Sequence, residues 1–278
     1  MLTPQTQRDA VGSELVRFGV ELASAGAAQV GDAFTDDPAG DAFIKASGEA
    51  FLIGILFTQG IPAERAWAGP HLVRTRLGHF DLARLAAEPV RVAAAVAAPP
   101  ALHRFVKTIP AWISSAARRL IDEYDGEASR IWSGRAHVTD VTERLLAFDG
   151  IGPKKAAMAV ELLVRSRGVE LAGMECGSVA YDVHVRRVFL RSGLIDIDSP
   201  AEVRRAAASA CPSEPGLIDL PAWLIGRETC RPRVPDCDAC RLGDCCPRLT
   251  GRSVVGVGAR VGERQSIERK ISPESSFG

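Results

Sequence analysis

The chain has 278 residues, 46% of them apolar and only 6% aromatic, enough to bury one large core or two ordinary ones and too apolar for disorder through its bulk. Thirty-four Lys/Arg cancel thirty-four Asp/Glu, so global charge gives no support for a nucleic-acid partner. Residues 1–50 hold three basic and eight acidic side chains, leaving residues 51–278 a modest basic excess of 31 over 26. There is no apolar run of about eighteen residues and no basic-then-apolar leader pattern, which predicts a cytoplasmic protein with no membrane contact. In that reducing setting the seven cysteines read as ligands or buried thiols.

Apolar residues recur at helical spacing nearly throughout and alternating strand patterns are scarce, so an all-α fold is expected. Residues 8–24 pattern as a helix with Val11, Leu15, Phe18 and Leu22 on one face. Phe51 to Phe57 is apolar all round, the mark of a buried helix, ending near Gly60 and Pro62. Pro99-Pro100 breaks an Ala/Val helix, and Pro110 starts another that runs through Ile113, Ala117, Leu120 and Tyr124 to Gly126. Asp140 is placed to cap the next helix, with Glu143 three residues on as in a capping box. Residues 168–180 read as an irregular insertion, Asp182 caps a helix beginning at Val183, and residues 251–278 read as a mobile tail.

Two segments carry chemistry. In Gly150-Ile151-Gly152-Pro153 the glycines permit a tight turn and close approach to a ligand, and Pro153 suits the first position of a helix. The amides at that helix start, with Lys154 and Lys155, suit a phosphate and read no base. The alternative is an ordinary helical connection with two solvated lysines. The second segment is Cys230, Cys237, Cys240 and Cys246, spaced C-x6-C-x2-C-x5-C. One close pair flanked by wider intervals departs from the paired spacing of structural zinc sites and favours an iron–sulfur cluster. Cys245 competes with Cys246 as fourth ligand, while Cys176 and Cys211 read as isolated buried thiols.

The hairpin, the segment Tyr181-Asp182-Val183-His184-Val185-Arg186-Arg187-Val188, the run Trp223 to Cys230 and the cysteine spacing together resemble the endonuclease III family of helix-hairpin-helix DNA glycosylases, over roughly residues 46–247. The resemblance implies a two-lobed all-α fold with a [4Fe-4S] cluster. The expected division is residues 1–45 as an N-terminal helix packing on the cluster lobe, 46–180 as the hairpin lobe, 181–250 as the cluster lobe and 251–278 as the tail. By motif matching it implies Lys154 as catalytic lysine, Asp182 as catalytic aspartate, Gln59 as the residue filling the gap left by a flipped nucleotide, and Cys246 as fourth ligand. Trp112 is a candidate wedge or a packing residue. Gly150, Gly152, Lys155, Arg186, Arg231 and Arg233 are candidate phosphate contacts, with Arg187 beside them, and solvated surface positions explain Arg186 and Arg187 nearly as well.

The resemblance implies a nucleoid-associated monomer whose partner is double-stranded DNA containing a damaged base or abasic site, and whose reaction is base excision with strand cleavage through a lysine Schiff base. Three departures bear on the lesion. Ile61-Pro62 replaces the family's polar Thr-Asp pair, Ala111 stands where a bulky wedge is usual, and Lys154 and Asp182 are twenty-eight residues apart, about ten more than usual for the family. The helix Phe51–Phe57 lacks the acid of the adenine-excising branch, leaving oxidised pyrimidines as the expected substrates. The rivals are a monofunctional glycosylase of different base choice (uracil, mismatched or alkylated bases) and a non-catalytic, cluster-bearing DNA-binding protein.

Overall fold

The computed structural model describes residues 3–24 and 34–251. Every regular element among them is helical, so the all-α expectation holds, and one isolated bridge joins His137 and Ala172. In chain order the helices are α1 (Pro4–Ser24), α2 (Pro38–Ala46), α3 (Gly48–Phe57), α4 (Ala63–Leu77), α5 (Leu82–Ala87), α6 (Pro89–Ala97), α7 (Thr108–Tyr124), α8 (Val138–Leu146), α9 (Pro153–Arg167), α10 (Val183–Arg191), α11 (Pro200–Ala210) and α12 (Asp219–Glu228). None of these is long and apolar enough to cross a membrane. Beyond Gly251 the expected tail lies outside the described residues.

The first lobe is built around α3. Ser47 caps it, accepting from Ala50 N at 3.0 Å, and every residue from Ala50 to Phe57 is buried. The helix is apolar all round because it serves two cores at once. Phe51, Leu52, Ile55 and Leu56 join Trp67, Leu120, Trp132, Leu145 and Val160, while Ile53 and Phe57 join Val73, Leu85, Val96, Ile109 and Ile113. Gly54 lets the Trp67 indole lie directly on the helix, where it stacks on Phe51 at 5.6 Å between centroids. Each such fully buried side chain contributes about 1.5–3 kcal/mol of apolar transfer free energy.

The second lobe joins the two ends of the described chain. Val11 and Leu15 of α1 pack with Val185, Phe189, Val203, Ile218, Ala222 and Ile225. Two local expectations need correction. Phe34 and Ile44, in the segment assigned with the N-terminal helix, belong to the core around α3, because Phe34 packs on Trp67 at 4.8 Å. Asp140 does not cap α8. The helix starts three residues earlier, since Val138 is needed in the core, and His137 caps it by accepting from Thr139 N. Asp140 falls in the first turn, where a carboxylate still suits the positive helix end.

Candidate functional site

Between α8 and α9 the chain turns through Phe148 and Ile151, both buried in the first lobe, so the intervening glycines are held at the surface. Gly150 has φ +83°, and a Cβ there would run into the Trp112 indole. Gly152 is the N-cap of α9, and a Cβ added to it would meet nothing within 4 Å. The first glycine therefore seats the turn on Trp112, and the second leaves the open amides of a helix N-terminus facing solvent.

The next two side chains take opposite directions. Lys154 is half exposed and its Nζ lies 2.5 Å from Asp182 Oδ2, bridging the start of α9 in one lobe to the start of α10 in the other. Lys155 turns inward, is 6% exposed, donates to Leu56 O at 2.9 Å and lies over the Trp112 ring at 5.2 Å. It satisfies a carbonyl in the last turn of α3, and burial together with the Lys154 charge pulls its ammonium down to about 8. Lys155 was expected at a phosphate and Trp112 as a possible wedge. Both are instead packed beneath the hairpin, because the turn needs a floor and the end of α3 needs a donor.

Asp182 is 6% exposed and caps α10 by accepting from His184 N at 2.8 Å. Burial pushes its carboxyl up, but the Lys154 charge and hydrogen bond, with the His184 amide, outweigh that and hold it below the usual range. The approach to Asp182 is fixed from behind by Asp219, whose Oδ1 accepts from Ala180 N at 2.7 Å. Asp219 is fully buried near the Asp182 charge, and its own carboxyl is pushed up to about 7. Beside it on the lobe seam, Glu161 of α9 is buried against Gly216 and its carboxyl is raised by burial to about 8. Arg165 sits 3.6 Å away, yet Glu161 Oε1 has no hydrogen-bond partner in the structure.

Gln59 is exposed just beyond α3, and Arg104 lies against Gly60 next to it. Arg104 also covers the ring of Phe105 at 4.6 Å, and Phe105 is 37% exposed. His103, fully buried, fixes this corner by accepting from Phe105 N and packing edge-on against Phe57. Sequence reading centred its wedge candidates on Ala111 and Trp112 and did not single out this pair. The available signal was an aromatic beside an arginine just ahead of a buried helix, in a stretch with no helical period.

The basic residues of α10 also differ from expectation. Arg186 is 5% exposed and ion-paired with Asp198, with Nε 2.8 Å from Oδ1. Arg187 is 3% exposed and donates to Cys230 O and Gly226 O. Neither presents a surface guanidinium, because α10 is enclosed by α12 and the cysteine loop. Arg191, not singled out in the sequence, donates to Arg231 O at 2.7 Å and Pro232 O at 2.8 Å, shaping the loop that exposes Arg231 and Arg233.

Cys230, Cys237, Cys240 and Cys246 line one cavity walled by Val188, Ile225 and Leu242, while Cys245 stands outside it with its Sγ directed to Leu242 O. Soft donors around an apolar hollow suit an iron–sulfur cluster, and Arg191 Nη1 at 3.8 Å from Cys230 Sγ and Arg248 N at 3.3 Å from Cys246 Sγ supply the sulfur hydrogen bonds such a group favours. Cys246 is among the residues that line this cavity and Cys245 is not.

No family model matches the chain. Endonuclease III of Synechocystis sp. is 31% identical over 137 residues, 49% of this chain and 53% of that protein. The fold superposes on a trapped endonuclease III–DNA covalent intermediate with a TM-score of 0.56 at 20% identity, covering 91% of this chain and 99% of the other. The chain is thus similar to endonuclease III in sequence over about half its length, and in fold over 91% of it. A thermostable thymine-DNA glycosylase shares the same fold, with a TM-score of 0.59 at 15% identity over 89% of this chain and 99% of its own. The chain spans about half the length of the curated endonuclease III relatives it matches.

Proposed function

We propose that this chain excises damaged bases from double-stranded DNA and cleaves the abasic strand, with oxidised pyrimidines its substrates. The observation that carries this reading is the Lys154–Asp182 pair at the mouth of two helix N-termini from different lobes. A base within a duplex is unreachable, so the nucleotide must be extruded toward that pair, with Gln59, Arg104 and Phe105 entering the gap. The Lys154 amine, once its proton has left, attacks C1′ of the sugar as the C1′–base bond breaks and the base departs with the bonding electrons. Asp182, kept ionised, opposes the positive charge that develops on the sugar. The added nitrogen gives up a proton and the C1′–O4′ bond opens, O4′ taking a proton, to leave an iminium between Lys154 and C1′; loss of a C2′ proton then expels the 3′ phosphate by β-elimination, and water hydrolyses the iminium to release the lysine.

Phosphates are gripped without base readout by the open amides at Gly152 and by Arg231 and Arg233. Cys230, Cys237, Cys240 and Cys246 hold a [4Fe-4S] cluster, which when bound would fix the loop bearing those arginines. Lys155 and Trp112 support the hairpin from within. Borohydride added to protein and a lesion-bearing duplex should trap a covalent adduct through Lys154. Lys154→Gln should keep its iron and bind the duplex yet lose trapping and strand cleavage entirely. Base release at the wild-type rate by that variant would establish the monofunctional glycosylase in its place, and duplex binding with no cleavage of any lesion by the wild type would establish the binding protein.

A further inference from the structure

We propose that His137, Glu175 and Cys176 form a second metal site, which takes a zinc-class divalent cation and ties the 168–180 connection to the start of α8. One ligand atom from each of the three lies within 4.8 Å of the other two. Donors around a single zinc ion, at about 2.0–2.3 Å from the metal, have mutual distances inside that limit. An imidazole, a thiol and a carboxylate form a mixed N, S, O set that suits zinc and its neighbours, whereas magnesium and calcium call for oxygen alone. None of the four cavity cysteines takes part, and the site stands whether or not the repair reading does.

The scaffold presents these donors from two backbones already joined. Val138 N donates to Ala172 O at 2.8 Å and Ala172 N to Ala136 O at 3.1 Å, one bond on either side of His137. Gly173, at φ +71°, then turns the chain, and Met174 anchors it in the core of the first lobe. The short turn Met174–Cys176 brings Glu175 and Cys176 round to the imidazole. A Cβ on Gly173 would touch Nε2 and both of its neighbouring ring carbons, which is a position over the ring face. The imidazole therefore lies flat on the glycine, and the in-plane lone pair of Nε2 remains open to an ion.

The other ring nitrogen faces Thr139. Nδ1 is 2.8 Å from Thr139 Oγ1 and 3.4 Å from Thr139 N. The hydroxyl can accept from Nδ1–H or donate to the bare nitrogen; binding an ion through Nε2 uses the first arrangement and gives up the capping bond from Thr139 N. Glu175 and Cys176 are exposed, so an ion reaches them directly and the thiol proton passes to solvent as the thiolate binds. Three protein donors leave a fourth position for water.

The test is zinc sulfate added to the iron-loaded full chain, followed by desalting and counting of zinc, iron and sulfide. Wild type should retain one zinc with iron and sulfide unchanged, and bound zinc should shield Cys176 from alkylation. Cys176→Ser and Glu175→Gln, both exposed and safe for folding, should weaken retention by about tenfold or more with iron unaffected. No retained zinc, retention equal in wild type and Cys176→Ser, or zinc taken up only as iron is lost would each overturn the site.

Discussion

In the lobe around α3, order comes from apolar side chains facing two cores, with Gly54 and Gly69 letting Trp67 and Phe57 sit against helix backbone. In the lobe around α10, the loop from Thr229 to Gly251 has no helix or strand. Two buried arginines, Arg187 and Arg191, donate to its carbonyls. Apolar burial is non-directional and tolerates small adjustments, whereas a guanidinium in a buried fork fixes carbonyl positions and is costly to leave unpaired. The hairpin thus rests on an apolar core, while the cysteine loop depends on directed hydrogen bonds.

The largest effect should come from Cys246→Ser, which is expected to abolish iron and sulfide binding and expose residues 229–250 to protease while the first lobe stays protected. Cys245→Ser should retain both, and a reversal of the two results would move the fourth ligand. Next, Arg187→Leu leaves Cys230 O and Gly226 O without their donor and should cost about 3 kcal/mol in denaturant unfolding. A loss below about 1 kcal/mol would show that the loop is ordered without the buried fork.

The seam between the lobes should show in the pH dependence of stability. Glu161 has its folded carboxyl raised to about 8 from an ordinary 4.5, so its contribution is complete below 4.5 and is lost as pH rises through 8. Asp219, raised to about 7, acts in the same direction. Unfolding free energy measured by urea should therefore fall by a few kcal/mol between those limits, and Glu161→Gln should flatten much of that fall. An unchanged slope in the variant would place the dependence elsewhere.

The smallest effect separates the two hairpin glycines. Gly150→Ala forces a side chain into a left-handed conformation and into Trp112, and should cost about 2 kcal/mol of stability. Gly152→Ala should leave stability nearly unchanged and weaken duplex binding, because its Cβ meets no protein atom but projects from the open helix start. Equal loss of stability in both would remove the distinction drawn between them.

Local pattern alone was enough for the all-α class, the buried character of Phe51–Phe57 and the Asp182 cap, because periodicity, capping and turn chemistry act within a few residues. It could not tell Lys154 from Lys155. Two adjacent lysines at a helix start look alike until the end of α3, nearly a hundred residues earlier, supplies a carbonyl for one and α10 a carboxylate for the other. The burial of Arg186 and Arg187, the seating of Trp112 under Gly150, the exposure of Phe105 and the meeting of His137 with Cys176 were likewise decided by tertiary structure. A polar side chain's role is set by the partner that satisfies it, and in this chain those partners are mostly distant in sequence.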